Sequence, residues 1–119
     1  MTEDSVTILH NPRCTKSRQA LARLVEHGFT PRIIEYLKNP PRAEELRALL
    51  NMLGLNARQV LREKETIYKE LGLDDPKYSD DELINIMVKH PILIERPIVS
   101  YRGKAVIGRP PEAVSTLFD

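Results

Sequence analysis

Apolar and polar positions along this chain switch between two periods, and the switches outline its elements. Val6-Thr7-Ile8-Leu9 is an apolar run that reads as a buried strand, and Pro12 breaks it. Ser17, Ala20, Leu21, Leu24 and Val25 then recur at helical spacing, with Gly28 as the C-terminal stop. After Phe29-Thr30-Pro31, the run Arg32-Ile33-Ile34-Glu35-Tyr36-Leu37 predicts a second strand. Strand, helix and strand within about thirty residues make a βαβ unit, so these two strands are expected to be parallel. Asn39-Pro40-Pro41 forces a break.

A helical block comes next. Arg42-Ala43-Glu44-Glu45 opens a helix with Leu46, Leu49, Leu50 and Leu53 on one face, closed by Gly54. Asn56 is placed to cap a turn carrying Val60 and Leu61. Residues 65–71 are helical in composition and stop at Gly72, and Asp74-Asp75-Pro76 reads as a loop. Ser79 followed by Glu82 matches a capping box ahead of the stripe Leu83, Ile84, Met87 and Val88, and Pro91 ends that element. From Ile92 the pattern changes. Ile98-Val99-Ser100-Tyr101 and Lys104-Ala105-Val106-Ile107 are short β-rich runs flanking Arg102-Gly103, a hairpin turn. Gly108-Arg109-Pro110-Pro111 leads to a last helix over roughly 112–118. The order βαβ, helical block, ββα is that of a thioredoxin-like fold. The expected class is α/β: a thioredoxin/glutaredoxin-like mixed sheet flanked by helices, with an inserted helical region in the middle. Residues 1–119 then form one domain, its thioredoxin-like parts at about 5–40 and 92–119 and the insertion at about 41–91.

Bulk composition removes several function classes. A length of 119 residues suits one core, and 18 basic against 17 acidic residues leave a net charge of +1. No global field draws nucleic acid or a membrane surface, so any anion site must be built locally. An aromatic content of 5% without Trp argues against base-stacking platforms. No apolar segment approaches the ~20 residues of a membrane span. Glu3 and Asp4, followed by a short apolar run, are not the start expected of a signal peptide. A single cysteine forms no internal disulfide, which favours the reducing cytoplasm. No Cys/His/Asp spacing resembles a metal site, and no P-loop occurs.

The chemistry concentrates at His10-Asn11-Pro12-Arg13-Cys14-Thr15-Lys16-Ser17-Arg18. Cys14 falls in a strand-to-helix loop, at or just before the first helical turn. Backbone N–H groups without intrahelical partners and the helix dipole favour an ionised thiol there and attract anions. Arg13, Lys16 and Arg18 push the same way. A lone cysteine is also commonly an inert, buried small hydrophobe, but such residues have apolar neighbours and Cys14 does not. His10, four residues earlier, is positioned to support a thiolate through charge or a hydrogen-bond relay; equally, it is a histidine ending a strand and bonded to backbone. His27 and His90 read as helix C-terminal residues favouring the dipole. Arg62, Arg96 and Arg109 are candidate oxyanion ligands, since the planar guanidinium pairs two oxygens and stays charged; each also reads as a solvated surface residue. The Cys-x5-Arg loop of thiol phosphatases is missing, because Ala20 stands six residues after Cys14.

Several motifs together resemble the glutaredoxin-coupled arsenate reductase (ArsC) family of the thioredoxin-like superfamily, from about residue 6 to 117. They are His10-Asn11-Pro12-Arg13-Cys14 with Ser17-Arg18, Leu37-Lys38-Asn39-Pro40-Pro41, Val60-Leu61-Arg62, Tyr68-Lys69-Glu70-Leu71-Gly72-Leu73, His90-Pro91-Ile92-Leu93-Ile94-Glu95-Arg96-Pro97-Ile98-Val99 and Ile107-Gly108-Arg109-Pro110. The resemblance implies that Cys14 attacks arsenate, that His10 and Ser17 stabilise its thiolate, and that Arg62, Arg96 and Arg109 hold the oxyanion. It also implies a cis Arg96–Pro97 bond. The implied route has no bound cofactor: a Cys14–arsenate adduct is attacked by glutathione as co-substrate and arsenic is reduced. Glutaredoxin then removes glutathione from the mixed disulfide, and arsenite is released. With one cysteine, the resolving thiol must come from outside. A monomer is expected, with no nucleic-acid or membrane partner. Thr15-Lys16 stands where well-studied members carry Gly-Thr. Two alternatives accompany this reading. A related regulator binds RNA polymerase and senses redox state through Cys-x-x-Cys, but here the fourth position is Ser17. A thiol oxidoreductase of the same fold with another substrate is the other.

Overall fold

In the computed structural model, which describes residues 5–118, the first apolar run is strand β1 (Thr7–His10), one residue later than its pattern predicts. Residues 1–4, with Glu3 and Asp4 of the acidic start, and Asp119 lie outside the described residues. Alternation at period two puts Val6, Ile8 and His10 on one face of β1 and Thr7 and Leu9 on the other. Helix α1 (Thr15–Glu26) leads to strand β2 (Arg32–Glu35), which runs parallel to β1 with Thr7 opposite Arg32 and His10 opposite Glu35. β2 stops two residues short of the predicted Leu37. The amides of Lys38 and Asn39 both donate to the Glu35 carbonyl at 3.0 Å, so the chain turns at Tyr36, which is buried.

Strand β3 (Ile98–Tyr101) pairs antiparallel with β1, and β4 (Lys104–Ile107) pairs antiparallel with β3, giving the mixed order β2-β1-β3-β4. Arg102 and Gly103 join them with φ of 51° and 75°, the two left-handed residues of a tight hairpin turn. The last element, Pro111–Phe118, is a 3-10 helix. Val6, Ile8 and Val99 from the sheet meet Ala20 and Leu24 of α1 and Val114 and Leu117 of this last helix in one apolar cluster. Val25 does not join the stripe expected of it. It lies about 100° around the helix from Leu24, as the 3.6-residue turn dictates, and is 58% exposed. Both X-Pro bonds at Arg96–Pro97 and Arg109–Pro110 are cis. This mixed sheet with flanking helices is the α/β, thioredoxin-like architecture that the element order predicts.

Gly108 holds the sheet close to both helices. Its amide donates to the Pro97 carbonyl at 2.8 Å. A Cβ there would stand 2.9 Å from Pro97 Cγ, 3.2 Å from Ala20 Cβ and 3.3 Å from Val114 Cγ1. These neighbours belong to packed elements and have little room to yield. Gly108→Ala is therefore expected to lower the stability of the protein by about 1–3 kcal/mol, the usual penalty of overpacking. Urea denaturation reads this as a lower midpoint; an unchanged midpoint would mean that the contact has slack.

The chain divides into two compact units: residues up to Asn39 with those from Arg96 onward, and the stretch Pro40–Glu95. The second unit contains α2 (Ala43–Leu53), α3 (Ala57–Val60), α4 (Thr66–Glu70), α5 (Asp80–Lys89) and a 3-10 turn at Pro91–Leu93. α2 and α3 pack on α5, burying Leu46, Leu50, Ala57 and Val60 with Leu83, Ile84 and Met87. The predicted caps form. Gln59 N–H donates to Asn56 Oδ1 at 3.0 Å, and Ser79 and Glu82 exchange hydrogen bonds of 3.0 and 3.1 Å. Among the described residues no helix is long and apolar enough to cross a membrane.

Candidate active site

Strand β1 delivers its last residue, His10, to the same face as Ile8, and α1 presents Ser17 on the same stripe as Ala20 and Leu24. The apolar interface between strand and helix therefore ends in a polar pair. His10 Nδ1 lies 2.6 Å from Ser17 Oγ, with His10 5% exposed and Ser17 fully buried. His10 thus ends a strand as expected and pairs with the Ser17 side chain.

Between these two residues runs the cysteine loop. Cys14 is the N-cap of α1 and is half-buried. Asn11 organises the loop from within. Its N–H donates to Ser17 Oγ at 3.1 Å, its Oδ1 accepts Arg13 N–H at 3.0 Å, and its carbonyl accepts Cys14 N–H at 2.9 Å. The first bond of the helix runs from Arg18 N–H to the Cys14 carbonyl at 3.0 Å. Since Asn11 takes the Cys14 amide, the N–H groups of Thr15, Lys16 and Ser17 are those left without intrahelical partners at the helix end. Sequence reasoning did not single out Asn11; the signal was an Asn two residues before the amide it caps, as in Asx turns.

Burial pushes the His10 imidazole below its ordinary value of 6.5; Glu35 opposes this, and Arg18 adds to the lowering. The folded protein therefore binds fewer protons than the unfolded chain as pH drops through 6.5. This contribution to stability is full above the unfolded value and is lost as pH falls toward the lower folded value. Wild-type protein is expected to show a lower urea midpoint at acidic pH than at neutral pH, with a smaller drop in His10→Gln. Equal drops in the two proteins would place the pH dependence elsewhere.

The third strand-and-loop segment closes on the sulfur. Arg109, which follows β4 and Gly108, places Nη1 3.9 Å from Cys14 Sγ, within donor reach of sulfur, across 95 positions of sequence. The same Nη1 donates to the Arg96 carbonyl at 3.4 Å. Arg96 lies two residues before β3, half-buried, with Nε and Nη1 of its guanidinium buried. Cys14, His10, Ser17, Arg96 and Arg109 thus all belong to the sheet-bearing unit, and Arg109 is directly against the thiol. Arg62 belongs to the helical unit. There its Nη1 pairs with Glu65 at 2.9 Å and its Nε lies 3.8 Å from Glu95, while its amide donates to the Leu93 carbonyl at 2.8 Å. His27 and His90 are the C-caps of α1 and α5, as read from the sequence. Among the described residues no group of three or more His, Cys, Asp or Glu is placed to hold a metal ion.

The ArsC family model matches residues 9–117. An uncharacterized protein of Escherichia coli strain K12, YfgD, is 54% identical over 110 residues, which is 92% of each chain. An arsenate reductase of Neisseria meningitidis is 47% identical over 113 residues, covering 94% of this chain and 97% of that one. Among solved structures, an arsenate reductase from Vibrio cholerae superposes with a TM-score of 0.93 at 51% identity, over 96% of this chain and 98% of the other. With a cysteine loop and arginines in the order of that family's motifs and a family match across nearly its whole length, this chain belongs to the ArsC family.

Proposed function

We propose that this protein is an arsenate reductase that uses Cys14 as nucleophile and draws its electrons from glutathione and glutaredoxin. The observation that carries the reading is the guanidinium of Arg109 at 3.9 Å from Cys14 Sγ, at the N-terminus of α1. Fixed positive charge beside a sulfur favours the thiolate and receives the oxyanion it attacks. Relatives named arsenate reductase support arsenate as that oxyanion.

The steps balance as follows. Cys14 thiolate attacks arsenic, a sulfur–arsenic bond forms, and a hydroxyl leaves as water after taking a proton. Arg109 and Arg96 neutralise the charge on the remaining oxygens. Glutathione thiolate then attacks the adduct. A disulfide forms between glutathione and Cys14, the sulfur–arsenic bond breaks, and its electron pair stays on arsenic, which leaves as arsenite. Glutaredoxin takes the glutathione by thiol–disulfide exchange and frees Cys14. The single cysteine of the chain supports an external resolving thiol. Burial lowers the His10 pKa and so favours the neutral imidazole, and its hydrogen bond to Ser17 ties it to the cysteine loop. Arg62 keeps its oxyanion role on the strength of the family motif Val60-Leu61-Arg62 alone.

The test is a coupled assay with NADPH, glutathione reductase, glutathione and glutaredoxin. The expected result is NADPH loss that depends on arsenate and on this protein. Folded protein without such turnover would overturn the reading and favour another substrate for the same thiol. Within this assay, Arg96→Ala is expected to raise the arsenate KM about tenfold, the effect of one lost hydrogen bond to a charged group. Its circular dichroism should match wild type. Unchanged kinetics would remove Arg96 from the site.

A further inference from the structure

The cysteine loop is gripped from outside as well as from within. Arg18, one turn into α1, folds its side chain back over the loop: Nη1 donates to the Pro12 carbonyl at 2.8 Å and Nη2 donates to Thr15 Oγ1 at 3.2 Å. Pro12 and Thr15 flank Cys14 on either side, at two residues before and one after. The backbone of Arg18 also donates to the Cys14 carbonyl at 3.0 Å. One residue therefore touches the chain before, at and after the nucleophile. Each terminal nitrogen of its guanidinium gives one hydrogen bond to a loop oxygen, so the side chain of Arg18 is turned onto the loop.

We infer that Arg18 and Thr15 form a strap that fixes Cys14 against Arg109, making both positioning residues for attack by the thiolate. The inference rests on the reading of Cys14 as nucleophile. The hydroxyl of Thr15 is essential to the strap, because a glycine at that place would offer no acceptor to Nη2. The physical reason is orientation. A nucleophile at a loop–helix junction loses rate steeply when it is displaced by about 1 Å, even though the substrate is still held by other groups. The Asn11 bonds secure the inner face of the loop, and the strap supplies the outer restraint against outward movement of Pro12 and Thr15.

Four variants test this in the coupled assay: Arg18→Ala, Thr15→Val, Thr15→Ser and the double Arg18→Ala/Thr15→Val. Arg18→Ala is expected to lower kcat at least about tenfold, as for a displaced nucleophile, with the arsenate KM within about twofold of wild type. Thr15→Val, which keeps the shape and removes the hydroxyl, lowers kcat about threefold, and Thr15→Ser restores it. The double variant is no slower than Arg18→Ala, because both substitutions cut one strap. A raised KM with unchanged kcat in Arg18→Ala would mean that Arg18 holds the substrate and would overturn the inference. So would wild-type kcat in Thr15→Val, or additive losses in the double variant. A second readout needs no substrate: amide hydrogen exchange at Cys14 and Arg18, followed by NMR. Both amides are expected to exchange about fivefold faster in Arg18→Ala and Thr15→Val, and as wild type in Thr15→Ser, with α5 amides unchanged. If wild-type protein fails to turn over arsenate, the function proposed above falls, and the exchange experiment judges the strap alone. Wild-type exchange at both loop amides in Arg18→Ala would then refute it.

Discussion

Cys14→Ser is expected to bring arsenate-dependent NADPH loss down to the rate without enzyme, while the protein unfolds in urea as wild type does. Two effects act together. A serine hydroxyl is a far weaker nucleophile than a thiol, so attack on arsenic is lost. Oxygen also cannot enter the mixed disulfide that the proposed route requires, so no slower path of the same kind remains. The expected loss is at least about 10³-fold, in the range seen when a covalent nucleophile is removed. Stability should move by no more than about 0.5 kcal/mol, since the substitution is nearly isosteric at a half-buried cap. The backbone bonds that build the loop, Cys14 N–H to Asn11 and Arg18 N–H to Cys14, remain. Turnover above background in a folded Cys14→Ser protein would point to a different nucleophile.

Arg109→Ala should be the most damaging arginine substitution in the sheet-bearing unit, lowering kcat/KM by about 10²–10³-fold, as when one fixed donor to a developing anion is removed. Arg109 is the guanidinium placed on the sulfur, and it is aimed by the Arg96 carbonyl and by the tight passage at Gly108. Arg109→Lys should recover little. A lysine offers a point charge, whereas the guanidinium, which reaches both the sulfur and the Arg96 carbonyl through Nη1, is a planar fork of the kind that pairs two oxygens of an anion. Arg23→Ala is the matched control. That residue makes an exposed ion pair with Glu112 at 3.0 Å, and its loss should leave both turnover and stability within the small range of surface pairs. Steady-state kinetics on the three variants check this ranking. Equal activity in Arg109→Ala and Arg23→Ala would strip Arg109 of its role.

Local chemistry made much of the fold readable before any coordinates. Arg102-Gly103 between two β-rich runs specifies the hairpin, and Ser79 with Glu82 specifies the start of α5, because each signal lies within four residues. β2 is where local reading overran. Nothing in Tyr36-Leu37 marks a turn, and the chain turns there because two amides converge on the Glu35 carbonyl. Val25 is apolar but faces outward, a reminder that hydrophobic identity alone does not imply burial.

The site divides along the same line. The placement of Cys14 at a helix start follows from Pro12 and the stripe beginning at Ser17. The partnership of His10 with Ser17 follows from period two in β1 meeting period 3.6 in α1. Arg109 is different: 95 residues separate it from Cys14, and only the antiparallel pairing of β3 with β1 and of β4 with β3 brings it home. Spacing carries no trace of that, so the resemblance to known motifs had to supply it. The two-handed grip of Arg18 was equally hidden, because its charge invited an anion-binding role while its side chain turns back onto the loop.

The most direct measurement is a crystal of the protein soaked in arsenate. The predicted result is arsenic bonded to Cys14 Sγ, with its oxygens within hydrogen-bond reach of the Arg109 guanidinium. Arsenate bound elsewhere, with Cys14 Sγ bare and Arg109 turned away from it, would contradict the account.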